Sequence, residues 1–114
     1  MHELSIAQSV LEAVRAEAQR RPRARIVKVG LRVGVLAGVN ADALSFCFES
    51  LVQGTEMAPL ALEIELGPRR QRCPVCGHTF AVTDCRLACP QCHVAETLCV
   101  GGDELDMVYL EVEP

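Results

Sequence analysis

Tryptophan is absent from this 114-residue chain, and only one tyrosine and three phenylalanines are present. Platforms that stack bases or sugars need such rings, so those binding classes are disfavoured. Positive charge is also short. Eleven Lys and Arg against 15 Asp and Glu leave a formal net charge of -4, which gives no general attraction for nucleic acid. No apolar run approaches the length of a membrane span. The first fifteen residues carry Glu3, Glu12 and Arg15 without a continuous apolar core, so no signal peptide is expected.

Apolar residues and cysteine are both plentiful. Half of the residues are hydrophobic, enough for one small core, with or without a metal-stapled appendage. Seven cysteines are present. An odd count with four in tandem pairs fits metal ligation in a reducing cytoplasm better than a disulfide framework.

Those four are Cys73-Pro74-Val75-Cys76 and, twelve residues later, Cys89-Pro90-Gln91-Cys92. Thiolates at i and i+3 in a tight knuckle point at one ion, and the second knuckle completes a tetrahedral S4 set that favours zinc, with iron next. Such a closed site is structural first, because it replaces a core that so short a segment cannot build alone. Gly77 suits the left-handed turn of a knuckle; the second knuckle has His93 there instead. His78 and His93 are expected beside the ligands, and Cys85 and Cys99 outside the set. Cys47, next to Phe48, is expected as a buried small side chain.

Around this site the periodicity alternates between helix and strand. Residues 5–19 repeat apolar positions at helical spacing (Ile6, Val10, Val14, Ala18), with Ser5 as an N-cap and positions 1–3 as a short extended arm. From Ile26 to Leu36 the period becomes two, placing Val27, Val29, Leu31, Val33 and Val35 on one face. Gly30 and Gly34 on the other face predict a bulge or the close approach of another segment. Asn40 caps a second helix to about Val52, buried through Leu44, Phe48, Leu51 and Val52. Leu60, Leu62, Ile64 and Leu66 alternate as a half-buried strand. Gly67-Pro68, the basic run Arg69-Arg70 with Arg72, and later Gly101-Gly102 bracket the cysteine segment. A last strand, Leu105 to Val112, is expected to rejoin the sheet beside residues 60–66. The fold class is α+β: a small mixed helix–sheet core, residues 1–67 plus 103–114, with an inserted zinc-ribbon-like module at 68–102.

The chain opens Met1-His2-Glu3. The Met1 amine and His2 amide nitrogen form a five-membered chelate, and the His2 imidazole Nδ1 closes a six-membered ring. Glu3, through its amide or carboxylate, offers a fourth donor. A planar, nitrogen-dominated set is what Ni(II) or Cu(II) prefers.

Taken together, the opening Met1-His2-Glu3-Leu4-Ser5, the run from Val29 to Gly34, the Phe46-Cys47-Phe48 helix, both knuckles, Gly102-Asp103-Glu104-Leu105 and the acidic strand Leu110-Glu111-Val112-Glu113 resemble the HypA/HybF family. These are hydrogenase-maturation nickel metallochaperones. The resemblance implies transient Ni(II) cargo at His2 with Glu3 nearby, and structural Zn(II) on Cys73, Cys76, Cys89 and Cys92. It implies work with a HypB-like nickel-insertion GTPase, delivery to the large subunit precursor of a [NiFe]-hydrogenase, and in some members a part in urease maturation. The chain departs from the commonest family pattern at His93, where glycine is more usual, and at Cys99. No phosphate loop, nucleophile–base pair or open zinc position is present, so enzyme activity is not expected. The competing readings are a zinc-ribbon nucleic-acid module with Arg69, Arg70, Arg72 and Arg86 as a basic rim, and a structural adaptor that gains nothing from His2.

Overall fold

A computed structural model describes residues 2–113. Helix α1 runs Glu3–Arg20, strand β1 Arg25–Gly34, helix α2 Ala41–Val52 and strand β2 Ala61–Gly67. Three short strands follow, β3 Arg69–Arg72, β4 Thr79–Val82 and β5 Leu98–Gly101, and then β6 Leu105–Glu113. The strands form two sheets, ordered β2-β1-β6 and β4-β3-β5.

β1 takes the centre of the first sheet because it is the strand with apolar residues for a fully covered face. Val29, Leu31 and Val33 are buried there, against Ile6, Leu11 and Val14 of α1 and Leu44, Phe48 and Val52 of α2. Burying a side chain of this size contributes about 1.5–3 kcal/mol, so these few residues carry most of the cohesion of the core. The opposite face is wet. Arg32 pairs with Glu65 at 2.8 Å, and Lys28 lies between Glu63 at 3.4 Å and Glu111 at 3.9 Å.

β2 lies parallel to β1 across the α2 crossover, and β6 lies antiparallel on the other side of β1. The last strand thus rejoins the sheet, but beside residues 25–33 and not beside 60–66. The glycines on the wet face explain the choice. The Tyr109 ring lies over Gly30, where a Cβ would collide with it, and Gly34 packs against the Gly102 backbone. β1 thus offers β6 an opening for Tyr109 at Gly30, and at Gly34 one for the segment that leads into β6.

Two register shifts, between Ile26 and Lys28 and between Gly30 and Leu31, break the strict alternation of β1. Ile26 is therefore buried while Val27 is half-buried, the reverse of the period-two expectation. Val35 is exposed because the strand stops at Gly34. Leu66, at the far end of β2, is likewise exposed. Leu51 is only half-buried, whereas Leu44, Phe48 and Val52 form the buried face of α2 as read from the sequence. The Asn40 side chain accepts from the Ala43 N–H at 2.9 Å, the expected N-cap.

The sheets meet end to end in a body of 54 × 26 × 17 Å. Their junction gathers around the C-terminal end of β1. Gly34 N–H donates to Glu104 O at 2.8 Å, Val35 N–H to Gly67 O at 2.9 Å, and Leu36 N–H to Gly102 O at 2.6 Å. The Glu104 carboxylate accepts from the Gly102 N–H at 2.6 Å. Both connecting segments are thus stitched to one strand end.

Candidate metal centre

Each knuckle builds the same small cage. In the first, Cys73 N–H donates to His78 O at 2.9 Å and Gly77 N–H to Cys73 O at 3.0 Å. In the second, Cys89 N–H donates to Val94 O at 3.0 Å and His93 N–H to Cys89 O at 2.9 Å. Closing these loops needs a left-handed residue, and Gly77 (φ 77°) and His93 (φ 67°) supply it.

The four sulfurs converge within 4.8 Å of one another. Across the knuckles Cys73 Sγ lies 3.3 Å from Cys92 Sγ, and Cys76 Sγ 3.6 Å from Cys89 Sγ. These separations are far from disulfide bonds, in which sulfurs stand about 2.05 Å apart. They approach the spacing of about 3.8 Å expected for four sulfurs held about 2.3 Å from one zinc ion. Cys85 and Cys99 stay outside the cluster, as their spacing predicts. Cys47 is half-buried on the edge of the helical core.

Backbone donors prepare the inner pair of sulfurs. Cys76 N–H and Val75 N–H both reach Cys73 Sγ at 3.4 Å, and Cys92 N–H reaches Cys89 Sγ at 3.5 Å. The Cys76 amide foremost holds the Cys73 thiol down to about 6, and the Cys92 amide likewise lowers that of Cys89. Cys73 and Cys89 are buried, while Cys76 and Cys92 are exposed. Although the Val94 N–H favours the Cys92 thiolate, the adjoining Cys73 sulfur pushes that thiol up to about 12. This gradient suits a soft divalent ion, which replaces the shared protons and binds all four sulfurs as thiolates.

A buried polar side chain supports the cage. Gln71 is 1% exposed, donates from Nε2 to Thr97 Oγ1 at 3.0 Å, and accepts from Arg69 Nε at 2.9 Å. The Thr97 hydroxyl in turn donates to Leu87 O. Gln71 thus ties β3 to the loop that carries the second knuckle. The sequence read Arg69–Arg72 as a basic run and missed both the strand and its glutamine; alternation of long polar residues gives no burial signal. Nor is the expected basic rim wholly free, since Arg69 holds Gln71 and Arg86 lies 3.7 Å from Asp84.

At the other end of the sequence, the extended arm is shorter than expected. His2, not Ser5, is the N-cap of α1, with φ -89° and ψ 137°, and its carbonyl accepts from Ile6 N–H at 3.2 Å. Glu3 therefore stands in the first helical turn, where a negative charge complements the free amides of the helix end. Its Oε2 lies 3.5 Å from Asn40 N, linking the start of α1 to the cap of α2. His2 is exposed. Met1, the expected source of the chelating amine, lies outside the described residues.

Comparison with known proteins agrees with this arrangement. A family model described as "Hydrogenase/urease nickel incorporation, metallochaperone, hypA" matches residues 1–112. The chain is 41% identical over 114 residues to a hydrogenase maturation factor HypA of Roseiflexus sp. (strain RS-1), covering 99% of this chain and 93% of the relative. It is 41% identical over 113 residues to the factor of that name from Geobacter metallireducens, covering 99% and 100% respectively. The fold matches a solution structure of the Ni metallochaperone HypA from Helicobacter pylori, with a TM-score of 0.62 at 23% identity over 97% of both chains. A second HypA solution structure gives a TM-score of 0.70 at 22% identity, over 99% of this chain and 97% of that one. The chain belongs to the HypA family of hydrogenase and urease nickel-incorporation metallochaperones.

Proposed function

We infer that this protein carries Ni(II) at its amino terminus and passes it on during hydrogenase maturation, while Zn(II) held by Cys73, Cys76, Cys89 and Cys92 organises its second sheet. The observation that carries the reading is the convergence of four sulfurs inside a chain that matches a nickel-incorporation family over nearly its whole length. The matching relatives named as hydrogenase maturation factors support hydrogenase as the recipient. The partners would be a HypB-like nickel-insertion GTPase and the large subunit precursor of a [NiFe]-hydrogenase, with urease maturation proteins as a further destination, all in the cytoplasm. No helix among the described residues is long and apolar enough to cross a membrane.

The two metals would have different roles. Zinc is resident: it would supply the cross-link that the four-sulfur cage needs and leave no open coordination position for chemistry. Nickel is cargo. His2 presents an imidazole in the capping position before the helical bonds begin. A cation at a helix N-terminus works against the helix dipole, so the site needs negative charge, which the deprotonated His2 amide and Glu3 supply. Because amide deprotonation accompanies binding, a drop in pH releases the ion. A carrier of this kind needs no catalytic group, in keeping with a family of metallochaperones. Residues 1–67 with 103–114 would act as the nickel-carrying unit and 68–102 as the zinc unit.

A Ni(II) titration of the zinc-loaded protein, followed by calorimetry and the visible spectrum, tests this reading. His2→Ala and an amine-blocked form run in parallel. The expected result is a planar d–d band that disappears in both controls while zinc stays bound. Unchanged nickel binding in both controls would remove the site from the amino terminus.

A further inference from the structure

Among the described residues β6 has a strand partner on one side only, and its other edge is open. The helix-side face of this strand is also only partly covered: Leu105 and Leu110 pack against the core, while Met107 and Val112 are exposed. Opposite residues of an antiparallel pair share a face, so Leu105, Met107, Leu110 and Val112, paired with Val33, Leu31, Val29 and Ile26, point to the side occupied by the helices. Both helices, however, sit over β1 and β2. Between α1 and β6 runs a trough of about 440 Å³, walled by Ser5, Ser9 and Ala13 on the helix and Leu31, Leu105 and Met107 on the sheet. A second depression of about 350 Å³ shares Met107 and continues past Leu110 and Val112.

The other face of β6 is acidic. Asp106, Tyr109, Glu111 and Glu113 lie opposite Arg32, Gly30, Lys28 and Arg25. From Asp103 to Glu113 the chain has five carboxylates and no basic residue. Lys28 is shared between Glu63 and Glu111, so the strand keeps a surplus of negative charge.

From these features we propose that β6 is the docking edge for an extended partner segment that alternates apolar and basic residues. The segment adds as a fourth strand, its main chain pairing with the open edge. Its apolar side chains enter the trough beneath α1, and its Lys or Arg side chains meet the acids on the opposite face. Charge decides against a second copy as the occupant. The apolar centre of β6 is flanked by acids at both ends, so self-pairing in either direction sets carboxylate against carboxylate, a recognised device against edge-to-edge association.

The probe is a capped nine-residue peptide alternating valine and lysine, matched to the nine residues of β6. It is added to the zinc-loaded chain without nickel, with binding followed by calorimetry and by hydrogen exchange of the β6 amides. Binding is expected to slow exchange along β6. It should weaken by about 10-fold or more in Met107→Lys, which puts charge into the trough, and in Ser9→Arg, which fills it from the helix wall without altering the strand. A peptide with glutamate in place of lysine should bind at least as poorly, and so should one of the two peptides N-methylated at alternate residues, because only one alternate set of N–H groups faces β6. The proposal is overturned by no binding of the valine–lysine peptide, by equal binding of the glutamate peptide or of both N-methylated peptides, or by binding without protection of β6. It is also overturned if the chain alone sediments as a dimer that Met107→Lys dissociates, which would make a second copy the occupant.

Discussion

His93 holds in the second knuckle the place that Gly77 holds in the first: φ is 67° against 77°, and each N–H closes onto the carbonyl of the first cysteine of its knuckle, at 2.9 and 3.0 Å. A side chain in this left-handed conformation costs about 1–2 kcal/mol relative to glycine. The His93 imidazole is exposed, and among the described residues it has no hydrogen-bond partner that would offset the cost. His93→Gly should therefore tighten the zinc site. The expected gain is about 1 kcal/mol, or roughly 5-fold in zinc affinity measured by chelator competition. His93→Val, β-branched in the same conformation, should weaken the site. Equal affinity in all three proteins would mean that the imidazole contributes something the geometry does not show.

The lowered Cys73 thiol sets a pH dependence. Its folded value, about 6, lies below the ordinary value, so the charged form is favoured by the fold. The resulting stabilisation is complete above the ordinary thiol range and is lost as pH falls through about 6. At pH 7 the metal-free cage therefore already holds a thiolate at Cys73, and zinc should displace fewer protons than the four thiols would give. The count should approach four at pH 5. Calorimetry in buffers of different ionisation enthalpy measures it directly, and a count that does not change with pH would contradict the assignment.

Gly30 and Gly34 should respond differently to alanine. At Gly30 the obstacle is the Tyr109 ring; at Gly34 it is the Gly102 backbone. Gly30→Ala should cost about 1–3 kcal/mol, the usual range for overpacking. Most of that should return in Gly30→Ala with Tyr109→Ala, when each is compared with Tyr109→Ala alone. Gly34→Ala has no side chain to remove and should cost more, with the connection to the second sheet disturbed. Denaturant midpoints for the set test the pairing of β6 with β1, because a strand beside β2 would leave Gly30 and Tyr109 uncoupled.

These contacts also show where the sequence was readable. Period and capping reveal local choices, so α2 with its Asn40 cap, the central apolar strand and the two outer-face glycines were legible. The cysteine spacing likewise foretold the four-sulfur cluster. Contacts formed by distant residues were hidden. Ile26 displaces Val27 from the core because a bulge shifts the register, and a bulge belongs to a pair of strands, not to one. β3 forms from Arg-Arg-Gln-Arg, with little intrinsic strand preference, because it is paired on both sides and Gln71 finds Thr97 beneath the cage. The early start of α1 was missed because Ser5 resembles a cap, whereas the helix begins with no capping side chain at all.

Glu104 has a local job with a distant consequence. Its carboxylate accepts from the Gly102 N–H at 2.6 Å, and its carbonyl accepts from the Gly34 N–H at 2.8 Å. Glu104→Ala leaves the main-chain bond but frees Gly102, whose positive φ of 120° then has less to hold it. The expected cost is about 1.5–3 kcal/mol, typical of one hydrogen bond to a charged group. Zinc content should not change. Amide relaxation should instead show residues 68–102 reorienting more freely against the first sheet, while an unchanged relaxation profile would make the carboxylate dispensable to the junction.

Glu3 and His2 can be separated by substitution because their expected roles differ in kind. His2 would donate to the ion, whereas Glu3 would chiefly supply charge where the helix dipole opposes a cation. Glu3→Gln retains the size of the side chain and an oxygen able to face Asn40 N, but removes the charge. Nickel affinity should fall by about 3- to 10-fold, with the planar visible band retained. His2→Ala should abolish that band. The metal-free helix gives a second readout: Glu3→Gln should lose about 0.3–1 kcal/mol of stability at low salt and less at high salt, as an exposed helix-end charge does. Loss of the band in Glu3→Gln would instead make its carboxylate a ligand, with one oxygen on nickel and Oε2 free to keep the 3.5 Å contact with Asn40 N.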